Sequence, residues 1–277
     1  MTGGDELVDV LEWLSPALYD SRHNEIKHQR IKGTGMWLLE TSEYKCWRSE
    51  SDAPSFLWCY GGPGTGKTFL TYGRLLPIIS ARTLLIGHRS LVLDELLSAV
   101  GNEDIGVAYI YLDYADRQAQ TLDNIIASLA KQLSLWKKGN EDIKALYEQC
   151  QRGKSRPDLS KLEATLKTVC NRFSQVFFVL DALDECEDNI RRLLLAQLKG
   201  LEKSRCRYFL TSRPHLQDLR RNLCDYPKIE IKAQDLDIKL LIQKRIEDDA
   251  MLSELVEDNK RLEVAIVDET IKNAKDM

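Results

Sequence analysis

Eight residues, Gly61-Gly62-Pro63-Gly64-Thr65-Gly66-Lys67-Thr68, constrain the fold more than any other part of the chain. They match the phosphate-binding pattern G-x-x-x-x-G-K-[ST], and the apolar run Phe56-Leu57-Trp58-Cys59-Tyr60 leads straight into them. Strand, glycine loop, then helix is the context in which that pattern works. Glycines let successive backbone N–H groups turn inward into a concave anion site. The helix that follows adds its positive N-terminal end. Lys67 then supplies a point charge for the β- and γ-phosphates, and the Thr68 hydroxyl a ligand for Mg²⁺. The loop does not choose between ATP and GTP.

The rest of the chain supplies the sheet that such a loop needs. Val107-Ala108-Tyr109-Ile110-Tyr111-Leu112 reads as a second strand, bounded by Gly106 and Asp113. Val176-Phe177-Phe178-Val179-Leu180 is a continuous apolar run, as expected of a strand buried on both faces. Arg207-Tyr208-Phe209-Leu210 reads as a fourth strand and the alternating Lys228-Ile229-Glu230-Ile231-Lys232 as a fifth, at an edge. Helices fall between them. Thr121 is placed to cap one, Ser160-Lys161-Leu162-Glu163 reads as a capping box opening another, and Ile190–Leu201 forms a third. Strands alternating with helices predict a parallel five-stranded sheet sandwiched by helices, an α/β fold of the P-loop NTPase (ASCE/AAA-like) kind. Ligands of such sheets bind at the carboxyl ends of the strands. The chain divides into a helical N-terminal linker (1–52), a core (53–232) and a partial helical subdomain (233–277).

Two further motifs fall at strand ends. Val179-Leu180-Asp181-Ala182-Leu183-Asp184-Glu185 is an apolar strand closed by an acid, the Walker B arrangement, in which Asp181 holds Mg²⁺. Asp184 or Glu185 is then placed to polarise an attacking water, although acids at a helix start are also favoured by its dipole alone. Thr211-Ser212-Arg213-Pro214 ends the next strand, and Arg213 is placed to sense or stabilise charge on a γ-phosphate. His215, the pairs Arg191-Arg192 and Arg220-Arg221, and Trp136-Lys137-Lys138 read as surface features on solvated helix faces.

Together GGPGTGKT, VLDALDEC and FLTSRP resemble the NACHT branch of the STAND NTPases. A small residue after the Walker B acid (Ala182) and a second acid two residues on (Asp184) mark that branch. The resemblance implies Asp184 as the water-polarising acid and Arg213 as sensor 1. The stretch from Arg30 to Leu39, with Tyr44 and Trp47, resembles the nephrocystin-like N-terminal type of this domain, abundant in filamentous fungi. By analogy with related switches, Gly33 to Gly35 would lie against the nucleobase. The resemblance further implies ATP or GTP with Mg²⁺, slow hydrolysis within an NLR-like signalling switch, and assembly of copies through the NTPase domain. It does not specify the protein partners.

The chain departs from the family pattern in one place. Pro77 would break the helix expected after Thr68. Removing residues 72–89 places Leu91, Val92, Leu93, Leu96, Leu97 and Val100 on one helical stripe with Leu70. These eighteen residues therefore read as a translated unspliced intron or gene-model error, or else as a genuine loop. The ends also read as cut, with no effector domain before the core and no winged-helix segment or repeat after it. The net charge of −4 gives no electrostatic reason to expect nucleic acid. No apolar run is long enough to span a membrane. Seven scattered cysteines without C-x-x-C spacing suggest reduced thiols in the cytoplasm. The nucleotide switch therefore competes with two other functions, a truncated nucleotide-binding remnant and a small-molecule phosphotransferase.

Overall fold

Residues 176–180 carry apolar side chains toward both faces of the backbone, and such a segment is stable only in the middle of a covered sheet. The computed structural model describes residues 3–15, 31–49, 53–61, 91–98, 100, 104–136, 140–150, 152–201, 205–232 and 234–275. Its five strands are β1 (Phe56–Tyr60), β2 (Ile105–Tyr111), β3 (Gln175–Asp181), β4 (Cys206–Ser212) and β5 (Lys228–Glu230). All pair in parallel, in the order β2-β3-β4-β1-β5, with β5 at an edge as its alternating sequence predicts.

The period of two sorts each strand between two cores. Phe56 and Trp58 of β1, Val176, Phe178 and Leu180 of β3, and Tyr208 and Leu210 of β4 face one side. There they meet α1 (Gly3–Leu14), α5 (Leu122–Leu135), α6 (Asn140–Gln149), α7 (Leu159–Cys170), α8 (Asp188–Gly200) and α9 (Gln217–Asn222). Leu57, Cys59, Phe177, Val179 and Phe209 face the other side. That face is covered by α2 (Met36–Glu40), α3 (Ser42–Ser49) and α4, a helix over 91–98. Val92, Leu93 and Leu96 of α4 are fully buried there, on the stripe the sequence predicts, while residues 72–89 lie outside the described residues. Each such buried side chain contributes about 1.5–3 kcal/mol. Strand register then aligns three aromatic rings: Tyr208 stacks on Phe56 of β1 at 4.5 Å and on Phe178 of β3 at 5.4 Å.

Thr121 caps α5 as expected, its side chain accepting from the Asn124 N–H. The capping box does not form. Asp158 accepts from the Lys161 N–H at 2.9 Å, and the helix starts at Leu159. Starting there brings Leu159 onto the core, which a start at Ser160 would forgo.

Three further helices, α10 (Asp235–Asp248), α11 (Ala250–Glu257) and α12 (Lys260–Lys275), pack together, and α10 and α12 share a small cluster of Ile238, Ile242 and Val267. Asp237, 2% exposed, ties α10 to the turn before α2. Its Oδ1 accepts from the Gly35 N–H at 2.9 Å and its Oδ2 from the Trp37 indole N–H at 3.2 Å. In that turn Gly33 and Gly35 have φ of 91° and 79°, the left-handed region where a side chain would be strained. Thr34 closes it through N and Oγ1, both donating to Ile31 O.

Candidate functional site

β4 lies between β1 and β3, so the carboxyl ends of three strands stand side by side. Tyr60 pairs with Ser212, and Gly61, buried, donates its N–H to Ser212 O at 3.3 Å. Ser212 Oγ accepts from the Trp58 indole N–H at 2.9 Å. The entry to the glycine loop is thus fixed to the end of β4. Gly62, Pro63, Gly64, Thr65, Gly66, Lys67 and Thr68 lie outside the described residues.

Asp181 is the last residue of β3 and 2% exposed. The Thr211 hydroxyl donates to Asp181 Oδ1, and Thr211 Oγ1 accepts from the Ala182 N–H at 3.0 Å. One hydroxyl of β4 therefore orients both the acid and the first peptide of the turn that follows it. Ala182 then adopts φ 60° and ψ 46°. A left-handed alanine is disfavoured and persists where its surroundings fix it. It reverses the chain sharply into a single 3₁₀ turn, Leu183–Glu185.

That turn separates its two acids. Asp184 points to the end of β4, where its Oδ2 accepts from Arg213 Nε at 2.9 Å and its Oδ1 from the Arg213 backbone N–H at 3.1 Å. The Asp184 side chain is 11% exposed and that of Arg213 49%. Glu185 points the other way, its Oε2 accepting from the Tyr114 N–H at 3.1 Å in the loop after β2. In that loop the Arg117 guanidinium lies 3.7 Å from the Tyr114 ring centroid. An open hollow of about 550 Å³ reaches Asp184 from outside the turn, between Arg117, Glu187, Arg191 and Leu216.

Arg191 corrects the expectation of a solvated helix face. Its side chain is 3% exposed and bonds to Asp218, Asp188 and the Leu183 and Cys186 carbonyls. Arg191, Leu194, Leu195 and Leu198 follow the i, i+3, i+4, i+7 spacing of one helix face, a signal that would have found it. Thr211 as the partner of Asp181 was also missed, since lateral strand order is not written in any local pattern.

A carboxylate at a strand end, beside the entry to a glycine-rich loop, fits Mg²⁺, which takes one or two protein carboxylates and completes its shell with phosphate oxygens and water. No cluster of three or more His, Cys, Asp or Glu with metal-binding geometry occurs among the described residues. Nor, among these, is any helix long and apolar enough to cross a membrane.

No curated protein matches the chain. Among solved structures, it is similar to Drosophila ORC bound to DNA, with 15% identity and a TM-score of 0.42 over 84% of this chain and 50% of that one. It is similar to the replication initiator DnaA bound to AMPPCP and single-stranded DNA, with 14% identity and a TM-score of 0.38 over 88% of this chain and 62% of that one. It is also similar to Aeropyrum pernix ORC1 in complex with DNA, with 16% identity and a TM-score of 0.40 over 77% of this chain and 48% of that one. The chain thus spans roughly half to under two thirds of these proteins' lengths. All three of those proteins are bound to DNA, and the exclusion of nucleic acid drawn for this chain from net charge does not stand. Net charge averages over the whole surface and does not describe any one face. The family model for the nephrocystin 3 N-terminal region matches residues 33–213. That span runs from the Gly33 turn to Arg213 and contains the glycine loop, both acids of the turn and four of the five strands. The chain belongs to the nephrocystin 3 N-terminal family and is a NACHT-like P-loop NTPase.

Proposed function

We propose that the chain binds a nucleoside triphosphate, ATP in preference to GTP, together with Mg²⁺, and hydrolyses it slowly as the NTPase module of a STAND-type signalling switch. The observation that carries this reading is the direct contact of Asp184 with Arg213 at the strand edge where Asp181 and Gly61 also lie. Gly61 to Thr68 would wrap the phosphates, with Lys67 on the β- and γ-phosphates. Asp181 and Thr68 would hold the Mg²⁺, which would neutralise negative charge developing on the phosphates. Arg213 would leave Asp184 for the γ-phosphate, and the released carboxylate would accept a proton from the attacking water. The bond to the leaving diphosphate then breaks, giving a nucleoside diphosphate and inorganic phosphate. Glu185, held by the Tyr114 N–H, is a weaker candidate for the same proton. In the switch, residues 1–52 would act as the linker that contacts the base, 53–232 as the core and 233–277 as part of a helical subdomain.

The test is titration of the purified protein with fluorescent ATP and GTP in Mg²⁺, wild type against Lys67→Ala, with phosphate release followed in parallel. Lys67-dependent binding, tighter for ATP, with slow release is the expected result. Asp184→Asn should slow release and spare binding. Absence of binding by the wild type overturns the proposal, and rapid transfer to an added small molecule replaces it with a phosphotransferase.

A further inference from the structure

Two ion pairs, a front pair and a rear pair, join the same two segments. In front, Asp184 of the acid turn meets Arg213, with the arginine half exposed. Behind, Arg191 of α8 meets Asp218 of α9, five residues past Arg213, at 2.7 Å and with side chains 3% and 12% exposed. Arg191 also reaches the turn itself. Its Nη1 donates to Cys186 O at 3.2 Å and to Leu183 O at 3.4 Å, and its Nη2 donates to Asp188 Oδ1 at 2.8 Å. These two carbonyls flank Asp184 and Glu185. Burial opposes the charge, but the hydrogen bonds that the guanidinium donates to Asp218 and Asp188, with the charge of these carboxylates, outweigh it and hold Arg191 more firmly protonated than in water. The planar fork is what makes four partners possible, because an ammonium concentrates its donors at one point.

We propose that Arg191 is the positioning residue of this site: it locks the acid turn to the segment after Arg213 from behind, so that the Asp184–Arg213 pair in front can open for a γ-phosphate and re-form with its register kept. In the front pair the Arg213 side chain is half exposed, so water can take over its bonds when it exchanges partners. The rear pair is buried and bound to backbone, as a fixed hinge needs to be. Arg191 does not touch the nucleotide. It sets where Asp184 and Arg213 stand when the third phosphate arrives. The role rests on the nucleotide reading above, and it specifies which chemical difference the rear anchor protects, that between a triphosphate and a diphosphate.

The experiment compares wild type, Arg191→Lys and Asp218→Asn in the full chain. It measures affinity for fluorescent ADP and for a non-hydrolysable ATP analogue, with phosphate release from ATP. Arg191→Lys should leave ADP affinity within about twofold of wild type, while preference for the triphosphate and the rate of release each fall about tenfold or more, the scale of a misplaced catalytic group. Asp218→Asn keeps the two carbonyl bonds and should lie between, which provides the measurement if Arg191→Lys does not fold. Equal weakening of ADP and triphosphate binding in either variant would make the cluster merely structural and overturn the proposal. So would unchanged preference and rate. A wild type that binds neither nucleotide removes the nucleotide reading and this role together, an outcome distinct from a binding wild type with indifferent variants.

Discussion

Thr211→Val removes a single oxygen atom and tests how Asp181 is held. Thr211 is 4% exposed, and its hydroxyl makes two bonds, donating to Asp181 Oδ1 and accepting the Ala182 N–H. Valine keeps the shape, so no cavity opens. A hydrogen bond to a carboxylate is worth about 1.5–3 kcal/mol and a buried donor left unpaired costs about 1–3 kcal/mol. Because the two bonds share one atom they are not additive, and the expected loss is about 2–4 kcal/mol. Thr211→Ser keeps the oxygen and loses a methyl group, which should cost about 0.8 kcal/mol. Urea unfolding of the three proteins, read by circular dichroism, gives both differences. A valine variant within about 1 kcal/mol of wild type, or a serine variant equally damaged, would refute the argument that the hydroxyl rather than its packing orients the strand end. The valine variant should also need more Mg²⁺ for half-maximal nucleotide binding, because Asp181 loses the Thr211 hydroxyl bond.

The glycines give a paired test. A Cβ on Gly106 would sit 2.9 Å from Leu133 Cδ2 and 3.2 Å from the Phe173 ring, so Gly106→Ala should cost about 1–3 kcal/mol by overpacking. At Gly200 a Cβ meets nothing within 4 Å, and Gly200→Ala should be neutral or stabilise by up to about 1 kcal/mol in the same urea assay. Burial pushes the Cys186 thiol up from 9.0 to about 11, and burial raises Cys59 and the Tyr44 phenol beyond their ordinary values as well. Each folded value exceeds the unfolded one, so the unfolded chain loses these protons first as pH rises. The stabilisation is therefore whole below about pH 9, and the part due to Cys186 disappears as pH climbs to about 11. The urea midpoint should fall across that window, and a flat profile would contradict the burial argument. Alkylation at neutral pH should find Cys224, which is exposed, before Cys186, as peptide mapping would report.

The strands were legible because each is covered on both faces, and continuous apolar runs such as Val176–Leu180 leave little else for the chain to do. The placement of the candidate residues was legible from motif order: Asp181 ends β3, and Asp184 meets Arg213 at the end of β4. Lateral order was not. That β4 stands between β1 and β3, and so offers Thr211 to Asp181, depends on long-range pairing that has no local pattern. The Asp158 cap was lost to a competing cap two residues on, because Ser and Asp cap almost equally well and only the burial of Leu159 separates them. Arg191 was lost because charge was weighed above its place on the apolar stripe. Net charge, finally, is a sum, and a sum excludes no local surface.

Gly35 and Asp237 stand 202 residues apart, yet share one buried hydrogen bond. A tether of that span costs only slightly more entropy to close than a far shorter one, because closure grows with the logarithm of length. Its rupture, by contrast, breaks the bonds of one buried carboxylate to the Gly35 amide and the Trp37 indole at once. Any displacement of α10 must therefore either drag the turn before α2 with it or give up both bonds, so motion of the trailing helices is felt at that turn.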